Sequence, residues 1–200
     1  MNVDFAQAAA WYSQSAGQGY AVAQFSLGLC YAHGKGVPQD YSEARAWYRK
    51  AADQNNPDAL VNLALFYLEG IGVDKDEKMG MEYIRKAAEA GAVDAQFELG
   101  VDYTMGFHGM EKNQQLSAEW FRKAAEQGMV MAQYDLVMAE HGDPKEVYFW
   151  LTLAIPHLEG DTLKNATAIR EEAASHLSAT QQAEIETRAK QWQAGHSQAE

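Results

Sequence analysis

Apolar positions recur along the chain with two periods, one close to four residues and one close to thirty-six. At the short period, Ala23, Leu27 and Tyr31 stand at i, i+4 and i+8, one face of an α-helix. Ala44, Trp47, Ala51 and Ala52 repeat this at i, i+3, i+7 and i+8 and predict a second helix. At the long period, Ala23, Ala59, Ala95 and Ala132 are separated by 36, 36 and 37 residues, and Leu27, Leu63, Leu99 and Leu136 follow in phase. So do Tyr31, Tyr67 and Tyr103, then Gly34, Gly70 and Gly106. Half a period later Trp11, Trp47, Tyr83 and Trp120 recur, with Ala-Ala pairs at 51–52, 87–88 and 124–125. The extra residue falls in Gly106-Phe107-His108-Gly109, against the shorter Gly34-Lys35-Gly36 and Gly70-Ile71-Gly72.

The residues between the stripes are turn formers. Gly34 to Pro38 ends one helix, and Asp40 or Ser42 can cap the next. Gly19, Asn55, Gly91 and Gly128 share one phase just past the second helix, where a left-handed residue is needed. Gly28, Ala64 and Gly100 lie inside the first helix, where small residues let a neighbouring helix come close. Each period is thus a helical hairpin that cannot bury its apolar side alone. Stacked hairpins bury a continuous core, which predicts an all-α protein, a right-handed α-α superhelix with a concave inner face.

These residues resemble the Sel-one-like repeat family (SLR), kin of the tetratricopeptide repeat (TPR), whose pattern is A-x-x-x-L-G-x-x-Y-x-x-G-x-G-V followed by A-x-x-W-[YF]-x-x-A-A-x-x-G. It runs through Ala23–Val37 with Ala44–Asn55, Ala59–Val73 with Gly80–Gly91, and Ala95–Met110 with Ser117–Gly128. A half-unit from Phe5 to Gly19 precedes them. A fourth, shortened unit keeps Ala132 and Leu136, has Glu140 in place of tyrosine, and starts its second helix at Asp143-Pro144. The repeats are assigned to residues 1–156, a helical cap to 157–193 and a disordered tail to 194–200. In the cap, Leu163, Ala166, Ile169, Ala173 and Leu177 predict one helix, and the capping box Ser178-x-x-Gln181 opens another with Ile185, Ala189 and Trp192 inside.

The TPR-like geometry that the resemblance implies turns the second, fifth and ninth residues of each first helix into the groove. These are Val22, Phe25 and Leu29; Asp58, Val61 and Leu65; Asp94, Phe97 and Val101; Met131, Tyr134 and Met138. His33, Leu68, Glu69, Thr104 and Met105 continue the same face. Such a surface suits an amphipathic helix or an extended peptide with basic flanks, although the same side chains could instead fill a tight superhelix. Methionine can repack around different ligands.

Composition narrows the function. Hydrophobic residues are 47% and charged residues 22%, globular values, and 28 acids against 16 bases leave a formal charge of −12. That charge repels a phosphate backbone and an anionic leaflet, so nucleic acid is not an expected partner. No apolar run approaches the roughly 20 residues of a membrane span. The start, Met1 to Phe5, has an acid where a signal peptide is basic. That reads as a cytoplasmic chain, or a periplasmic one if a signal has been removed. Cys30 has no second cysteine to pair with and reads as a half-buried small residue.

No catalytic constellation, metal cluster or cofactor loop is legible. Gly34-Lys35-Gly36 lacks the other residues of a phosphate loop. His33, His108, His141, His157, His176 and His196 show no zinc-helix spacing and read as surface residues, with His33 and His141 near the inner helix ends. The expected function is a non-catalytic adaptor that binds a protein or peptide segment in its groove, with Asp58, Glu69 and Asp94 favouring a basic partner. Two alternatives accompany it. One is a β-lactam-binding or hydrolase-like protein, implied by disulfide-rich relatives whose paired cysteines this chain lacks. The other is a self-associating structural module, and the oligomeric state stays open.

Overall fold

Each apolar stripe forms a helix, and each cluster of turn residues ends one. In chain order these are α1 (Phe5–Gly17), α2 (Ala21–His33), α3 (Tyr41–Ala52), α4 (Pro57–Glu69), α5 (Glu77–Glu89) and α6 (Val93–Met105). They are followed by α7 (Gln114–Glu126), α8 (Val130–Glu140), α9 (Pro144–Ala154), α10 (Gly160–Ser175) and α11 (Ala179–His196), with one 3-10 turn at Ile155–His157. The computed structural model describes residues 4–140 and 142–196, and no strand occurs among them. His141 and residues 197–200 lie outside the described residues. The consecutive hairpins make the protein an all-α, α-α superhelical fold.

Capping explains why the helices start where they do. Asp40 Oδ1 accepts from the backbone N–H groups of Ser42 and Glu43. Asp76 and Asn113, one repeat and two repeats on, accept from Met79 and Leu116. Asp143 accepts from Lys145, with Pro144 in the first turn as its fixed φ favours. Past the second helices, Gly19, Asn55, Gly91 and Gly128 all have positive φ, between 58° and 99°. Asn55 shows that the position needs left-handed backbone rather than the absence of a side chain.

Packing divides the chain into two compact units, one ending at Ala95 and the other beginning at Gln96. In the first, α1 to α5 pack each against the next. Its core holds the repeat signature: Ala59, Leu63, Ala44 and Ala51 are fully buried, and Leu27 nearly so. In the second, α8 packs on α7 and α9, and α9 also carries α10 and α11. The helices expected as a cap from 157 therefore belong to the same compact unit as the last hairpins. Ser178 and Gln181 exchange the two bonds of a capping box at the start of α11.

One expectation fails at the end of α11. The sequence places a disordered tail from Ala194, but the helix runs on through His196. The His196 ring stacks on Trp192 at 3.6 Å, and its Nε2 lies 2.9 Å from the Glu126 carbonyl. That tertiary anchor cannot be read from helical periodicity.

In two hairpins a glycine on the first helix faces a large ring on the second, and in the hairpin between them Gly80 on the second helix faces Leu68 on the first. A Cβ added at Gly28 would lie 2.5 Å from the Tyr48 ring, and one at Gly100 equally close to the ring of Phe121. The same two phases hold Ala64 and Ile84 in the intervening repeat, a larger first residue with a smaller second one. Polar core positions also change in pairs. Gln54 Nε2 donates to Gln24 Oε1 at 2.8 Å, and Gln127 Nε2 to Gln96 Oε1 at 2.8 Å. In the intervening repeat both partners are apolar, Leu60 and Ala90, as a buried bond requires if neither group is to be stranded.

Three substitutions test this packing. Gly28→Ala should destabilise the protein by about 1–3 kcal/mol through its clash with Tyr48, despite the better helix propensity of alanine. Gly17→Ala, with nothing within 4 Å, should instead raise stability by up to about 1 kcal/mol. The Tyr48 hydroxyl is buried without a partner among the described residues, and burial pushes its phenol up to about 12. Phe121 fills the same phase, so Tyr48→Phe should gain about 1 kcal/mol. Urea denaturation of the three variants checks all of this.

Candidate functional site

In the first unit, the expected groove residues separate into those used for packing and those left exposed. Phe25 is half-buried against Tyr48, its ring 5.7 Å away, and Leu68 covers Gly80. Val61 is half-buried, Val22 is 70% exposed and Leu65 41% exposed. Asp58, Glu69 and Asp94 are exposed. Leu29 and His33 help line a cavity of about 340 Å³ with Phe5, Tyr12, Cys30 and Lys35. Cys30 is buried, and desolvation raises its thiol pKa despite Lys35, so it is not an activated nucleophile.

In the second unit, Val101, Met105 and Met138 come together around a cavity of about 610 Å³. The last turns of α6 and α8 and the start of α7 enclose it, and its walls include Phe121, Ala139 and the stem of Tyr103. Phe97 is committed to packing on Phe121 at 5.5 Å. The Tyr134 hydroxyl accepts from Asn165 Nδ2 at 2.6 Å, so α10 reaches this face at that one tyrosine. Met131 remains 43% exposed, Met138 41% and Met105 50%.

Of the polar groups of this cavity, Thr104 was expected on the groove face, whereas Ser117, Gln114 and Asp135 were missed in the sequence. Ser117 Oγ and Thr104 Oγ1 both donate toward the Gly100 carbonyl and lie 2.7 Å apart. Gln114 Nε2 donates to the Ala139 carbonyl at 2.7 Å. Asp135 lines the cavity without a hydrogen bond or ion pair among the described residues, and desolvation pushes its carboxyl up to about 6. Its phase is held by Ser26, Asn62 and Glu98 in the other repeats. Ser26 and Asn62 donate to the Val22 and Asp58 carbonyls of their own helices, a bond an ionised carboxylate cannot make. Burial first, then Asp102, also raises Glu98, with His108 opposing.

Asp102 is a second omission. It is only 2% exposed, at a phase filled elsewhere by Cys30, Phe66 and Ala139. His108 Nδ1 lies 3.0 Å from both of its carboxylate oxygens, so the histidine read as a surface residue instead satisfies a buried acid. An acid in an apolar phase was the available signal. No group of three or more His, Cys, Asp or Glu side chains among the described residues can hold a metal ion, and no helix is long and apolar enough to cross a membrane. The arrangement offers shape, apolar surface and a carboxylate acceptor, with Lys112 the cation among the cavity's lining residues.

Asp135 makes a testable demand on stability. Its carboxyl pKa is higher folded than the ordinary 3.8, so the folded chain binds more protons between pH 3.8 and about 6. This group therefore adds stability as pH falls through about 6 and costs stability above it. A displacement of that size is worth about 3 kcal/mol in a dry site, and solvent at the cavity mouth reduces it to about 1–2 kcal/mol. Asp135→Asn should be more stable than the parent by that amount at pH 7.5, with the gap closing by pH 4. Urea midpoints at the two pH values measure it.

Known proteins place the chain in a family. The model of the Sel1 repeat matches residues 1–20, 21–56, 57–91 and 93–129, most of the chain. No curated protein sequence matches it significantly. Among solved structures, a Sel1 repeat protein from Oxalobacter formigenes is similar, with 32% identity and a TM-score of 0.74, over 83% of this chain and 50% of that one. The c5321 protective antigen of uropathogenic Escherichia coli, which displays an SLR fold, aligns with 23% identity and a TM-score of 0.62, over 94% of this chain and 56% of that one. The chain thus spans about half the length of these relatives. It belongs to the Sel1 repeat family.

Proposed function

We propose that the chain is a non-catalytic scaffold that binds a peptide segment of a partner protein along the exposed faces of its first helices. Sel1 repeats are generally protein-interaction modules, and this reading specifies where on the chain the interaction occurs. The observation that carries it is the exposure of Leu65, Met105, Met131 and Met138, each between 41% and 50% exposed on a helix whose opposite face is core. Surface apolar groups that gather on one face of these helices, Leu65 and Met138 at the same repeat phase and Met105 and Met131 at neighbouring ones, are useful against a partner. Methionine adds adaptability, since its flexible thioether repacks around different side chains. Asp58, Glu69 and Asp94 on the same helices favour basic flanks in the partner and speed encounter.

Phe25 and Phe97 are poor targets for a test, because each packs on an aromatic ring of its own hairpin. Leu65→Glu and Met131→Glu alter exposed side chains and should leave the fold intact, within about 0.5 kcal/mol of the parent. Combined, they should reduce recovery of partner protein from native lysate by about tenfold or more, since two interface side chains that each give about 1 kcal/mol are lost. Undiminished recovery of every partner by the folded double variant removes this face from the account.

A further inference from the structure

The cavity of the second unit narrows the chemistry of the partner, and the step rests on the scaffold reading above. We infer that this cavity receives a lysine or arginine side chain of the partner polypeptide, its cationic head meeting Asp135 and its methylene stem lying against Val101, Phe121 and Met138. The hydrogen-bonding groups in the walls leave one strong acceptor unused. Thr104 and Ser117 are engaged with each other and with the Gly100 carbonyl, and Gln114 is engaged with the Ala139 carbonyl. Asp135 alone faces the cavity as a carboxylate without a donor among the described residues.

A cavity lined by Val101, Phe121 and Met138 together with a carboxylate that has no donor among the described residues is matched by a side chain that is apolar along its stem and positive at its tip. An anion would meet the same carboxylate, and a wholly apolar group would leave it stranded and desolvated. Lys112 does not fill the role. Its stem lies over the turn at Gly106, with Cγ 3.1 Å from where a Cβ would stand, and it forms no ion pair with Asp135 among the described residues. The formal charge of −12 adds a long-range preference for cations. The volume, about 610 Å³, leaves room for more than one side chain, which suits a basic residue together with an apolar neighbour. The raised Asp135 carboxyl pKa agrees with this geometry, because an incoming cation favours the ionised form that burial alone disfavours.

The test uses the full chain with methionine methyl groups labelled for NMR, Met105 and Met138 serving as reporters at the cavity wall. The probes are the capped tripeptides Ala-Lys-Ala and Ala-Arg-Ala, the same tripeptide with norleucine at its centre, and n-butylammonium. The lysine and arginine peptides should give saturable shifts of both methyl signals, with affinity falling about tenfold or more for the norleucine peptide and for Asp135→Asn. Equal binding of the norleucine and lysine peptides, no effect of Asp135→Asn, or no saturable shift with any probe overturns the inference. Tighter binding of n-butylammonium than of the lysine peptide overturns the polypeptide as the source of the cation. The scaffold reading fails separately: partner recovery that ignores Leu65→Glu and Met131→Glu while the lysine peptide still binds removes the exposed face and keeps the cavity.

Discussion

The fit of a small residue on one helix against a large one on the next sets the approach of every hairpin. Glycine opposite tyrosine at Gly28, opposite phenylalanine at Gly100 and opposite leucine at Gly80 are three instances of that fit. That interdigitation buries the Ala and Leu stripes almost completely, and it commits one face of each first helix to the core. On the opposite face Leu65, Met105, Met131 and Met138 stay 41–50% exposed. The exposed leucine and methionines are thus a consequence of the packing geometry before they are a property of any partner.

Hydrogen bonding obeys the same pairing. The glutamine pairs Gln24 with Gln54 and Gln96 with Gln127 appear together or are replaced together by Leu60 and Ala90. In the shortened fourth hairpin only one partner remains, and Gln133 Oε1 is buried without a donor among the described residues. A buried amide is tolerable when matched and costly when alone, so the truncation is felt in the core as well as at the surface.

Repetition made the fold legible. Helix phases, Asp40 and Asp143 as caps, the left-handed Asn55 and the Ser178 capping box all depend on local chemistry and were readable before any coordinate. The expected groove positions came from the geometry that the family resemblance implies, which does not divide them into packing and exposed residues. Phe25 and Met138 look equivalent in the sequence, and only the neighbouring rings show that the first is committed to the hairpin. Asp102 and His108 escaped because their link joins a helix to a loop, across six residues with no helical register. Asp135 escaped because helix periodicity ranks positions by apolar content and treats an acid beside the stripe as solvated.

The departures from the repeat are unevenly distributed, and their distribution carries information. The phases that hold Cys30 and Phe66 in the first unit hold Asp102 in the second, and those that hold Ser26 and Asn62 hold Glu98 and Asp135. The longer turn that supplies His108 and Lys112 lies in the same unit. Each of these changes would be a liability in a purely structural repeat, since a buried acid costs more than the residue it replaces. His108 offsets that cost for Asp102, whereas nothing among the described residues offsets it for Asp135. A fold built from interchangeable hairpins gains specificity only where one hairpin stops being interchangeable, and of these changed residues Asp135 and Lys112 line the cavity of the second unit.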